Sequence, residues 1–181
     1  MDQNEQRTIL LGLIKSLREN DSWCGETHIQ KAMFSLQKIT GIPIDYTFVL
    51  YKHGAFSFDL RDELTDMRAD HLLSLEIHPA PYGPSLIVSD SGNAFYKKYH
   101  GIVRIYDPAI EFVAKNLGGK GVAELERIST ALYVCKEEGV WDPDDCAARV
   151  NELKPHISIE SATSAALDAV RILRAYKEQC Q

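Results

Sequence analysis

The chain has 181 residues, of which 45% are apolar and 25% charged, with a formal net charge of -6. That balance suits a folded globular chain with material for a sizeable core, and it excludes a disordered one. The excess of acid removes the overall basic footprint of a nucleic-acid or anionic-membrane binder, although a sum of charges leaves a local basic patch open.

The first helix is expected over Glu5–Glu19, with Ile9, Leu10, Leu13, Ile14 and Leu17 on one stripe and Arg7, Lys15 and Arg18 off it. The second begins at Thr27. Thr27 and Gln30 fit a capping box, in which each side chain satisfies an orphan amide at the helix start. Ile29, Ala32, Met33 and Leu36 form its buried stripe, and Gly41 and Pro43 stop it. Tyr46–Tyr51 reads either as a short strand or as a buried run, because periodicity does not decide between them. His53–Gly54 turns the chain, and Ser57 caps a third helix with Asp59 in its first turn and Leu60, Leu64 and Met67 inside. Leu73, Leu75 and Ile77 alternate with polar residues as a half-buried strand. A loop stiffened by Pro79, Pro81 and Pro84 leads to a partner strand over Leu86–Val88, and Ser89 caps a helix containing Phe95, Tyr96 and Tyr99.

The second half is helical. Asp107–Pro108 reads as a cap with proline at the first helical position, and that helix ends near Leu117. Another runs over Val122–Glu138 with Leu125, Ile128, Leu132 and Cys135 on one face and Gly139 past its end. Asp142–Pro143 opens a helix to Leu153. After a break at Lys154–Pro155–His156 the last helix starts near Ser158, with Ala165, Ala166, Ala169, Val170 and Leu173 inside. The expected class is mainly α with a small β wing (α+β). Residues 1–103 form a winged-helix-like part, and 104–181 form a helical extension packed on it or continuous with it as one domain.

The patterns that carry chemistry are weak. Gly118–Gly121, Gly-Gly-Lys-Gly, follows a helix rather than a strand and lacks the Ser or Thr of a phosphate-binding loop, so it reads as a helix end. The six histidines form no metal-ligand spacing, and the four cysteines form no CxxC, so no metal and no cofactor are implied. Reduced thiols, no signal-peptide pattern at the start and no membrane-length apolar run point to a cytoplasmic protein. His53, Ser57 and Asp59 are close in sequence, but a triad is a matter of geometry. No catalytic residue is assigned.

Two features point to binding. The third helix carries Asp59, Asp62, Glu63, Asp66 and Asp70 against Arg61 and Arg68. In a winged helix-turn-helix this helix enters the DNA groove, where such acids repel phosphates. Asp59, Asp62, Glu63 and Asp66 therefore read as a solvated acidic face or as a docking face for a basic protein. Tyr51, His53, Gly54, Phe56 and Ser57 mark a binding turn, or else a wedge against the core, with Gly54 permitting a φ that other residues resist. Basic residues cluster elsewhere, at Lys97, Lys98 and Arg104 and at Arg171, Arg174 and Lys177.

Ile29–Ile42 and Phe48–Leu64 together resemble the core of the YwgA-like bacterial proteins, which in turn resemble Panacea domains, the SocA-like antitoxins. Ala123–Val134 and Glu152–Ser158 are similar to the helical tail of that group. Ala55 stands where many members carry proline. The resemblance implies a cytoplasmic, non-enzymatic protein of toxin neutralisation, phage defence or regulation. It implies a protein partner, such as a basic toxin, or self-association. A DNA-binding regulator is the competing expectation.

Overall fold

The computed structural model describes residues 1–80 and 83–179. Those residues build a mainly helical protein with two small antiparallel sheets of two strands each. The chain order is α1 (Gln3–Glu19), α2 (Glu26–Thr40), β1 (Val49–Tyr51), β2 (Gly54–Phe56), α3 (Phe58–Ala69), β3 (Leu73–Glu76), β4 (Ser85–Val88) and α4 (Asp90–Val103). A 3-10 turn, Arg104–Tyr106, leads into α5 (Asp107–Leu117), α6 (Val122–Glu137), α7 (Pro143–Leu153) and α8 (Ile159–Gln179).

α1 starts two residues earlier than its apolar stripe indicates. Asp2 accepts from the Glu5 amide, and the Glu5 carboxylate accepts from the Asp2 amide, both at 2.8 Å, in a complete capping box. The expected box at Thr27 does not form. α2 begins at Glu26 on Gly25 without a side-chain cap, and Gln30 is drawn into a contact 27 residues away. Ser57, Ser89 and Asp142 do cap α3, α4 and α7. Asp107 does not cap α5: the 3-10 turn runs straight into the helix, Tyr106 is already helical (φ -94°, ψ -5°), and the Asp107 carboxylate lies 2.8 Å from His100 Nε2.

The stretch after α2 resolves as a hairpin, of which Val49–Tyr51 alone forms the first strand. It pairs with Gly54–Phe56 across a turn at Lys52 and His53. The second sheet pairs Leu73 with Val88 and Leu75 with Leu86. Its alternation is only partly used. Leu73 is buried beside α3, whereas Leu75 is exposed and Ile77, past the strand's end, is 76% exposed. A sheet of two strands covers one short strip of core, and the chain runs beyond it. Of the loop prolines, Pro81 lies outside the described residues, as does Tyr82. The Leu86 amide donates to Cys24 O at 2.8 Å, which ties this sheet to the segment ahead of α2. Gly92 is where α4 meets the sheet: a Cβ there would stand 2.1 Å from Leu72 O.

Buried side chains from Ile9 to Leu173 form one cluster. α1 packs on α4 and α5, α2 on α5 and α6, and α6 on α7 and α8. α8 turns Ala162, Ala165, Ala166 and Ala169 inward, with Ile172 and Leu173 continuing the face and Val170 at its edge. Met33, Leu36, Leu64 and Leu73 all belong to the cluster. Leu64→Ala should therefore destabilise the protein by about 2–5 kcal/mol in a denaturant titration. A loss under about 1 kcal/mol would place Leu64 at the surface instead.

Candidate functional site

The β1–β2 hairpin is too short to stand alone, since isolated two-stranded hairpins are marginal in water. Side chains from two sides hold it. Lys31 of α2, 2% exposed, donates from Nζ to Ala55 O at 2.8 Å. Lys154, at the end of α7, donates to Tyr51 O and to Lys52 O, the latter at 2.9 Å. Gln30 uses both ends of its amide on one residue: Nε2 donates to Ser57 O and Oε1 accepts from Ser57 N, each at 2.9 Å. Ser57 Oγ in turn accepts from the Leu60 amide and starts α3. Gly54 has φ +90°, and a Cβ there would lie 2.7 Å from Ser129 Oγ of α6, so both backbone and space require glycine.

Glu126 of α6 supplies the opposing charge. It is nearly buried; its Oε1 lies 3.2 Å from His156 Nε2 and its Oε2 4.0 Å from His53 Nδ1. The Lys31 ammonium has been moved out of water, which favours the neutral amine and pulls its pKa from 10.5 down to about 8. The fields of Glu126 and Glu26 work against that fall and the Lys154 charge adds to it. Burial also lowers the Lys154 pKa, with Glu126 opposing.

The other face of the hairpin is apolar and open. The Tyr51, Phe56 and Phe58 rings form a continuous set, with centroids 5.6 Å (Tyr51–Phe56), 5.1 Å (Phe56–Phe58) and 6.0 Å (Tyr51–Phe58) apart. Tyr51 is 56% exposed and Phe58 45%, with Val49 beside them. Between the hairpin and the start of α2 lies a cleft of about 140 Å³ lined by Lys31, Tyr51, His53, Gly54 and Phe56 among others.

The structure gathers the five turn residues into this one element but divides their roles. Tyr51 and Phe56 belong to the aromatic set, His53 faces Glu126, and Gly54 and buried Ser57 are support. Ser57 is buried with its Oγ accepting from the Leu60 amide, and His53 is exposed and faces Glu126. On α3, Asp59, Asp62 and Asp66 are exposed on one side, with Asp62 bridged by Arg61 at 2.8 Å and the Arg61 guanidinium 5.2 Å from the Phe58 ring centroid. Glu63, grouped with them by the sequence, is instead half-buried and paired with Arg7 of α1 at 2.5 Å, and Asp70 joins it at 2.7 Å. That pairing, half-buried on the α1 side, takes Glu63 out of the exposed acidic set. Arg61, Thr65 and Arg68 fall within about 60° of one another around the helix and line a groove with Leu75, Pro84 and Leu86. The helix is therefore two-sided, which a net count of its charges conceals.

Lys120 in the glycine-rich turn pairs with Glu124, so that turn closes a helix and presents no free cation. Among the described residues no group of three or more His, Cys, Asp and Glu side chains is arranged to hold a metal ion, and no helix is long and apolar enough to cross a membrane. Sequence reasoning missed Lys31, Glu126, Lys154 and His156, because their shared target is assembled from α2, α6 and the end of α7. The one local signal was a lysine within α2 beside the apolar stripe Ile29, Ala32, Met33 and Leu36, in a stretch (His28–Leu36) that is buried throughout. No protein-family model matches the chain, and no curated protein matches it.

The lysine makes a pH test. The folded state holds the Lys31 proton only below about pH 8, while the unfolded chain holds it to about 10.5, so the burial penalty is full below pH 8 and disappears as pH rises to 10.5. The stability of the wild type relative to Lys31→Met should thus increase across that window in parallel denaturant titrations. A flat difference would mean the amine is not desolvated.

Proposed function

We propose that the protein is a non-enzymatic, cytoplasmic binding module of the regulatory or antitoxin type, and that it docks a basic protein through the hairpin and the adjoining side of α3. The observation that carries this reading is the aromatic set Tyr51–Phe56–Phe58, exposed at Tyr51 and Phe58, placed directly before Asp59 and Asp62. Exposed aromatic patches rimmed by polar groups mark contact sites, and tyrosine is enriched among the residues that dominate binding energy. The acidic stripe Asp59, Asp62 and Asp66 adds steering for a positive partner. The resemblance of Ile29–Ile42 and Phe48–Leu64 to SocA-like antitoxins agrees with it. We read the N-terminal part as a winged helix adapted to protein contact: α2 and α3 are followed by the β3–β4 sheet, and Cys24 O gives that sheet one more hydrogen bond ahead of α2.

The test is capture of a partner from the native host, followed by association kinetics at two salt concentrations. Asp62→Lys with Asp66→Lys should slow association roughly tenfold at low salt and less at high salt. Tyr51→Ala with Phe58→Ala should instead speed dissociation, at a cost of about 2 kcal/mol or more. Capture of the same partner by the charge-reversed protein at an unchanged, salt-independent rate would refute the role of the acidic stripe.

A second reading has a specific observation behind it: the stripe Arg61, Thr65 and Arg68 beside the β3–β4 sheet is where a winged helix would meet a duplex. Titration against the chain's own upstream DNA at low salt separates the two. Docking through α3 leaves no sequence-specific binding; submicromolar binding lost in Arg61→Ala or Arg68→Ala would replace it with DNA recognition.

A further inference from the structure

Cys135 and Cys146 are 11 residues apart in sequence and lie on different helices, yet their sulfurs are 3.9 Å apart, both fully buried between α6 and α7. The Cys146 sulfur also reaches Ala131 O at 3.8 Å, which fixes its side chain toward α6. We propose that this pair is a redox-modification site, at which a hydroperoxide joins the two thiols in an intramolecular disulfide.

Geometry supports the bond. The sulfurs need to close from 3.9 Å to the about 2.05 Å of a disulfide, and a side-chain rotation supplies motion of that size. The order of steps follows from the surroundings. The Cys146 hydrogen bond favours a thiolate at Cys135, whereas Cys146 is held protonated by that same hydrogen bond and then by burial. The Cys135 thiolate attacks hydrogen peroxide, the O–O bond breaks, and sulfenic acid and hydroxide form. The proton given up by Cys135 neutralises the released hydroxide to water; the Cys146 thiol then attacks the Cys135 sulfur, its S–H proton goes to the leaving hydroxyl, and the sulfenic oxygen departs as the second water. In sum two thiols and one peroxide give one disulfide and two waters: both sulfurs are oxidised and the peroxide is reduced. Burial selects a small oxidant over a bulky disulfide donor.

The position gives the bond a consequence. α6 carries Glu126 and Ser129 beneath the hairpin, and α7 leads directly to Lys154, which holds Tyr51 O and Lys52 O. A disulfide between these helices ties together two of the three elements that grip the hairpin. This consequence for binding rests on the docking function above; the chemistry of the pair does not.

The experiment treats the full chain with hydrogen peroxide, blocks remaining thiols under denaturing conditions, and maps peptides by mass spectrometry. The expected result is one bridged peptide pair, Cys135–Cys146, with both thiols lost to alkylation and recovered after dithiothreitol. In Cys146→Ser the bridge cannot close, and the sulfenic acid at Cys135 should be trapped as a dimedone adduct when dimedone is added together with denaturant. Recovery of both cysteines as alkylatable thiols would overturn the proposal. So would a bridge from either to another cysteine or another chain. Should Cys146→Ser not fold, the wild-type map decides alone. A correct bridge whose oxidised and reduced forms bind the captured partner at equal rates would overturn only the link to docking.

Discussion

The hairpin is the constraint from which the rest of the site follows. Its carbonyls at Tyr51, Lys52 and Ala55 point into the protein, where an unpaired carbonyl is costly. Two lysine ammoniums meet them, from α2 and from the end of α7. Because those donors take the inward side, the strand pair is free to turn Val49, Tyr51 and Phe56 outward. Gln30 then fixes Ser57 by both of its backbone polar groups, and Ser57 sets where α3 begins. The aromatic set and the acidic stripe are adjacent for that reason: one anchored residue ends the hairpin and starts the helix.

The arrangement is electrostatically expensive. Lys31 and Lys154 are both nearly buried, and Glu126 is the carboxylate set between them in the field of each. Buried charge is retained at a cost in stability, and removal of one partner leaves the others uncompensated. A neutral residue at 31 would avoid the desolvation and lose the hold on Ala55 O. Charge on α3 is organised differently, at the surface and by side. Arg7 takes Glu63 and Asp70 out of the acidic group, Asp59 and Asp66 stay in solvent, Asp62 is exposed but paired with Arg61, and the two arginines line the groove with Thr65.

What was legible in the sequence was local. Apolar periodicity found α1, α3 and α6, and short polar residues at helix starts marked the caps at Ser57, Ser89 and Asp142, because cap and amide lie within three residues of each other. The failures are cases in which a distant group competes for a local one. Gln30 fits a capping box and is claimed by Ser57; Asp107 fits a cap and is claimed by His100. Leu75 and Ile77 keep the alternation of a buried strand, but Leu75 sits at the rim of the α3 groove and Ile77 is open among the described residues. The hairpin turn stood out by its density of aromatic residues and glycine. The charges beneath it did not, since Lys31, Glu126 and Lys154 are joined only by the fold, as are Cys135 and Cys146 across the α6–α7 turn.

The central claim is that buried cations from separate helices hold the hairpin in place. Amide hydrogen exchange in Lys154→Ala tests it directly. If Lys154 is a clamp, exchange should accelerate across residues 49–57 while the α1 amides over residues 9–17, in the centre of the core, keep their protection. Unchanged exchange across the hairpin would contradict the account, because the two carbonyls would then need no cation.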